Sequence, residues 1–106
     1  MIHTVGPIWR GGEHGEDDLL AACYANSLRL AHTTETITGI TYPAISTGVY
    51  GFPADRAASV ALRSCIQTLG ELSEPRITTV LFVAFREDAA EHVRAAARKA
   101  AEQGLL

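Results

Sequence analysis

The chain has 106 residues, room for one small domain and not for two. With 47% hydrophobic and 20% charged residues it has the composition of an ordinary globular domain, which excludes a disordered chain. The net charge of −3, with Lys and Arg scattered, argues against a nucleic-acid partner; a small anion would have to be held by local backbone dipoles. No run is long and apolar enough to span a membrane, and MIHTVGPIWRGG lacks the apolar stretch of a signal peptide. A cytoplasmic location without membrane contact is therefore expected. Cys23 and Cys65 sit among small and apolar neighbours at helical spacing, and are read as buried small hydrophobes rather than a disulfide.

Met1–Val5 is β-compatible, stops at Gly6-Pro7, and is expected to be a first strand. Ile8–Gly15, with Gly11, Gly12 and Gly15, is a loop. Glu16, Asp17 and Asp18 place negative charge at a helix start, and Leu20, Cys23, Tyr24, Ser27, Leu28 and Ala31 continue the helical period to about His32. After a connector at 33–36, Ile37–Ile45 reads as a second strand, with Pro43 as a mild objection. A second helix begins at Pro53, with Ala57, Val60, Ala61, Ser64, Cys65 and Leu69 as its inner stripe. Gly70–Pro75 breaks the chain. Ile77–Phe85, ITTVLFVAF, reads as a third strand buried on both faces. Glu87 and Asp88 open a last helix, with Ala90, Val93, Ala97 and Ala101 as its packing face and Gly104 at its end. Strand–helix alternation implies an α/β fold, a largely parallel sheet with right-handed crossovers. A strand that starts at Met1 has nothing before it, so the chain reads as cut.

The stretch AISTGVYGFP, 44–53, lies where a strand feeds a helix, and ligands of open α/β sheets bind at the carboxyl ends of strands. Backbone N–H groups of Ser46–Gly51 can converge on an anion, and the following helix adds its positive dipole end. Ser46 and Thr47 offer hydroxyls, Gly48 and Gly51 permit close approach, and Tyr50 supplies a flat face. The same residues also suit a plain tight turn, and the loop matches neither the P-loop nor the dinucleotide pattern. Ser46 invites an esterase reading, but a nucleophile elbow wants Gly where Ala44 stands. His3, His14, His32 and His92 lack ligand spacing and no cysteine cluster accompanies them, so no metal site is expected. Phe85 either caps the core or packs against a purine.

Three stretches together, IHTVGPIWRGGEHGEDDLLAACYANSL, ITYPAISTGVYGFP and VLFVAF, resemble the macrodomain family over nearly the whole chain. The likeness is greatest to its bacterial branch of ADP-ribose-binding, deacetylase and ADP-ribosyl-hydrolase proteins. The resemblance implies a three-layer α/β/α domain binding ADP-ribose, its esters or an ADP-ribosylated protein. It places Ser46, Thr47, Gly48, Val49, Tyr50 and Gly51 around the diphosphate, Tyr50 beside the distal ribose and Phe85 against adenine. It also implies an N-terminal half ahead of HTVGP, carrying an adenine-reading aspartate, an Asn-Ala-Ala-Asn segment and a glycine-rich catalytic loop. None of these lies in residues 1–106, so the expectation is a partial macrodomain, 1–106, of about three strands and three helices, whose catalytic residues are unknown. Met1 then stands where relatives carry an aliphatic strand residue, as a valine codon read as a start would produce; upstream DNA without in-frame macrodomain-like sequence would overturn this. The longer parent would hydrolyse O-acetyl-ADP-ribose or ADP-ribosyl esters on proteins by a positioned water, with no metal or redox cofactor. The alternatives are a non-catalytic ADP-ribose reader, and an incomplete domain that self-associates through an exposed sheet edge.

Overall fold

A computed structural model describes residues 1–34, 36–48, 50–72, 77–84 and 86–104. Three helices and two strands follow in the order α1 (Glu16–His32), β1 (Gly39–Tyr42), α2 (Ala54–Glu71), β2 (Thr79–Phe82) and α3 (Glu87–Glu102). Helix α1 forms where three acidic residues favour the first turn and Arg29 and His32 the last. The expected apolar period is its buried face: Leu20, Cys23, Tyr24, Ser27, Leu28 and Ala31. Helix α2 buries Ala57, Ala61, Ser64, Cys65 and also Thr68, while Val60 and Leu69 are partly buried against the same core. It lies between α1 and α3 and packs on both.

β1 and β2 pair in parallel with Ile40 opposite Val80 and Tyr42 opposite Phe82. Ile40, Tyr42, Val80 and Phe82 turn toward the helices, and the core is completed by Leu20, Tyr24, Leu28, Ala57, Ala61 and Cys65 of α1 and α2 and by Phe52 from the loop before α2. The Tyr24 and Tyr42 rings meet edge to face at 4.8 Å. The Tyr42 hydroxyl donates to the Tyr24 carbonyl at 3.0 Å and shares a 2.7 Å hydrogen bond with Ser27 Oγ. Burial pushes both phenols up to about 12, so they sit in the core uncharged. Ser64 Oγ donates to the Ala21 carbonyl at 2.7 Å, joining α2 to α1. Both cysteines are free and buried, and burial pushes the Cys65 thiol up to about 12.

Three expectations need correction. Met1–Val5 is not a strand: residues 1–9 carry no regular secondary structure, and Met1 and Val5 are exposed. A strand exists only with a hydrogen-bonded neighbour. Among the described residues the sheet has two strands, and a cleft of about 550 Å³ separates Met1–Thr4 from β1. β2 is not buried on both faces, since Thr79 is exposed and Leu81 is 56% exposed. The apolar run carries helices on its Val80 and Phe82 side, and no described residue covers the other. On α3 the buried residue is Ala100, about one turn on from Ala97 and two from Val93, which are partly buried, and Ala101 is exposed. The strands are also shorter than the apolar runs around them. Pro43 cannot donate to a ladder, and the pairing closes with Val83 N–H to the Tyr42 carbonyl at 2.8 Å.

Candidate functional site

Beyond Tyr42 the chain leaves the carboxyl end of the sheet through Pro43–Ile45 and turns back into α2. Two nested hydrogen bonds close the turn: Phe52 N–H donates to the Ser46 carbonyl at 2.9 Å, and Gly51 N–H to the Gly48 carbonyl at 3.0 Å. Gly51 takes φ 74°, a left-handed conformation that glycine adopts without strain. Ser46 takes φ 66°, and among the described residues it is the one non-glycine with positive φ. For an L-residue that conformation costs about 1–3 kcal/mol and persists where the surroundings impose it. Its hydroxyl oxygen is buried yet has no hydrogen-bond partner among the described residues. Gly6 lies against the turn from outside, and a Cβ there would collide with Ser46 Oγ and Ile45 Cγ2. α2 follows directly, with Pro53 as an N-cap that supplies no side-chain acceptor to its first N–H groups.

A second loop buttresses this one. Trp9 N–H donates to the Tyr50 carbonyl at 2.8 Å. The residues after Trp9 are held by Glu16, whose side chain is 2% exposed and accepts N–H bonds from Arg10 (2.9 Å), Gly12 (2.8 Å) and His14 (2.6 Å). Burial alone would push this carboxyl up, but the N–H donors overcome it and hold it at about 2, against an ordinary 4.5. Its charged form therefore contributes stability that is complete above about pH 4.5 and is lost as pH falls toward 2. Glu16→Gln, which turns an NH2 group toward N–H donors, is expected to lower stability at neutral pH. The gap from the parent chain should narrow as pH drops through that window, read by urea unfolding at stepped pH.

Of the residues expected to bind ligand, Ser46, Thr47, Gly48, Tyr50 and Gly51 form one turn, whereas Val49 and Phe85 lie outside the described residues. The turn divides two spaces. Thr47 lines an apolar cavity of about 50 Å³ with Ala44, Ala57, Phe82, Ala84 and Val93. That is far below the hundreds of cubic ångströms a nucleotide-sized ligand fills. Tyr50, 39% exposed, faces a cleft of about 400 Å³ with Gly6, Pro7, Arg10, His14 and Glu16. Glu16, Trp9 and Gly6 support the turn; the sequence read Glu16 only as a helix-start charge and Gly6 only as a strand stop, and did not bring any of the three to the site. The readable signal was a glycine-rich stretch ending in an acid, WRGGEHGE (9–16), which lets several N–H groups converge on the Glu16 carboxylate.

These features define an α/β protein with a strained, glycine-bearing turn at the carboxyl end of a parallel sheet, against a helix N-terminus. A family model, the Macro domain, matches residues 1–61, and the chain belongs to that family. It is 46% identical over 99 residues to a Macro domain-containing protein of Methanosarcina mazei, covering 93% of this chain and 51% of that one. It is similar to the O-acetyl-ADP-ribose deacetylase of Escherichia coli, 44% identical over 88 residues, covering 83% of this chain and 48% of the relative. The solved Oceanobacillus iheyensis macrodomain with ADP superposes with a TM-score of 0.84 at 38% identity, covering 95% of this chain and 51% of that one. A variant of it with ADPR gives 0.84 as well. The chain spans about half the length of the curated relatives it matches.

Proposed function

We propose that this chain binds ADP-ribose, with the backbone of Ser46–Gly51, Val49 included, wrapped around the diphosphate. Tyr50 then lies beside the distal ribose and Phe85 against the adenine. The observation that carries the reading is Ser46: a buried, unpartnered hydroxyl on a left-handed residue, in a turn that opens a helix. Strain and an unsatisfied polar atom in one residue are what a turn shaped for an anion would show. The relatives solved with ADP and ADPR, and the one named a deacetylase, support the same ligand. Free buried cysteines suit a reducing, cytoplasmic setting.

The test is thermal unfolding with ADP-ribose, ADP or AMP at millimolar concentration. A ligand at ten times its Kd adds about 1.4 kcal/mol to the native state, which for a chain of this size raises Tm by roughly 5 °C. ADP-ribose and ADP should raise it and AMP much less; no rise with ADP-ribose would overturn the reading.

A second reading, hydrolysis of an ester of ADP-ribose by a positioned water, is favoured by the deacetylase relative. Glu16 is not the base for it, because a carboxylate held at about 2 by N–H donors has little affinity for a proton. Acetate release from O-acetyl-ADP-ribose separates the enzyme from the binder.

A further inference from the structure

The indole of Trp9 is held on several sides. Phe52 packs against it with ring centroids 4.8 Å apart. The Arg56 guanidinium lies over the ring at 5.0 Å. Gly12 lies close to the ring, where a Cβ would come within 2.7 Å of Trp9 Cη2. Arg56 does not face the ring as a free cation. Its Nε and Nη2 donate to Asp17 Oδ1 and Oδ2 at 2.8 and 2.7 Å, a fork-to-carboxylate pair between the first turns of α2 and α1. Both side chains are about two-fifths exposed, and ion pairs so exposed add little to global stability. What the pair does is geometric: it sets the plane of the guanidinium, which seats the indole, and the Trp9 backbone N–H in turn reaches the Tyr50 carbonyl at 2.8 Å.

We propose that Asp17, Arg56 and Trp9 are positioning residues, a latch between the first turns of α1 and α2 that sets where the Tyr50 side of the Ser46–Gly51 turn stands. The latch touches no ligand; it acts through the Trp9–Tyr50 hydrogen bond. Arginine is required because one planar group must stack on an indole and clasp a carboxylate together, which a lysine ammonium cannot do. The binding part of this inference rests on the ADP-ribose reading, and the conformational part does not.

The experiment is NMR-detected amide exchange, with an ADP-ribose titration, on the parent chain, Arg56→Gln, Arg56→Lys and Asp17→Asn. Arg94→Gln, which breaks an exposed ion pair on α3, is the control. Exchange at the Trp9 amide should rise about 10-fold in all three latch variants, with Leu28 and Cys65 unchanged and no rise in the control. ADP-ribose affinity should fall about 3- to 10-fold in the latch variants. Unchanged Trp9 exchange in Arg56→Gln and Asp17→Asn would overturn the proposal. An equal rise at Trp9, Leu28 and Cys65 would also overturn it, because the pair would then be supporting the whole fold. If the parent chain binds no ADP-ribose, the ligand reading fails while Trp9 exchange still decides the latch.

Discussion

Phe52→Ala is expected to remove the cooperative thermal transition or to lower its midpoint by about 15 °C or more, from a loss of about 3–5 kcal/mol. Phe52 is 2% exposed and is the largest of the fully buried side chains. It packs against Trp9, belongs to the cluster with Leu20, Tyr24 and Leu28, and its N–H closes the turn on the Ser46 carbonyl. One truncation thus opens a cavity and loosens the platform under the candidate site. Phe52→Leu keeps most of the volume and should cost less than half as much. Scanning calorimetry reads both; equal losses would mean that the ring's shape, not its volume, is what the site needs.

Gly6→Ala is expected to abolish the ADP-ribose-induced rise in Tm and to cost about 1–3 kcal/mol, the range for forcing extra volume into a packed site. The added methyl would occupy the position of Ser46 Oγ. Ser46 has little room to retreat, because its φ of 66° lies in a narrow allowed region and its carbonyl is tied to Phe52. Gly70→Ala is the comparison: nothing lies within 4 Å of a Cβ there, and alanine in a helix is favoured over glycine by about 0.5–1 kcal/mol. Calorimetry with and without ADP-ribose should show Gly70→Ala neutral or stabilising with its ligand response intact. A normal ligand response in Gly6→Ala would separate Ser46 from binding.

Much of the fold was legible because it rests on local periodicity. α1 and α2 carry charges, a proline at the start of α2 and an apolar face at helical spacing, which depend on near neighbours only. The turn was legible as a place, since Ser46–Gly51 stands between a β-branched run and Pro53. The missed features involve partners distant in sequence. Met1–Val5 has strand composition but no ladder, and Leu81 has core composition but no cover.

What the sequence determined by itself is therefore the order of the elements from α1 to α3, the buried stripes of α1 and α2, and a glycine-bearing turn between β1 and α2. Periodicity, capping and backbone freedom act within a few residues, so they can be read along a chain. The tertiary structure alone decided that Ser46 is left-handed with a hydroxyl that finds no partner among the described residues, that Glu16 gathers three N–H groups, and that Trp9 holds Tyr50. The Ser46 and Trp9 arrangements bring together groups about 40 residues apart in the chain. Close packing and hydrogen-bond direction, which no local pattern encodes, make these contacts.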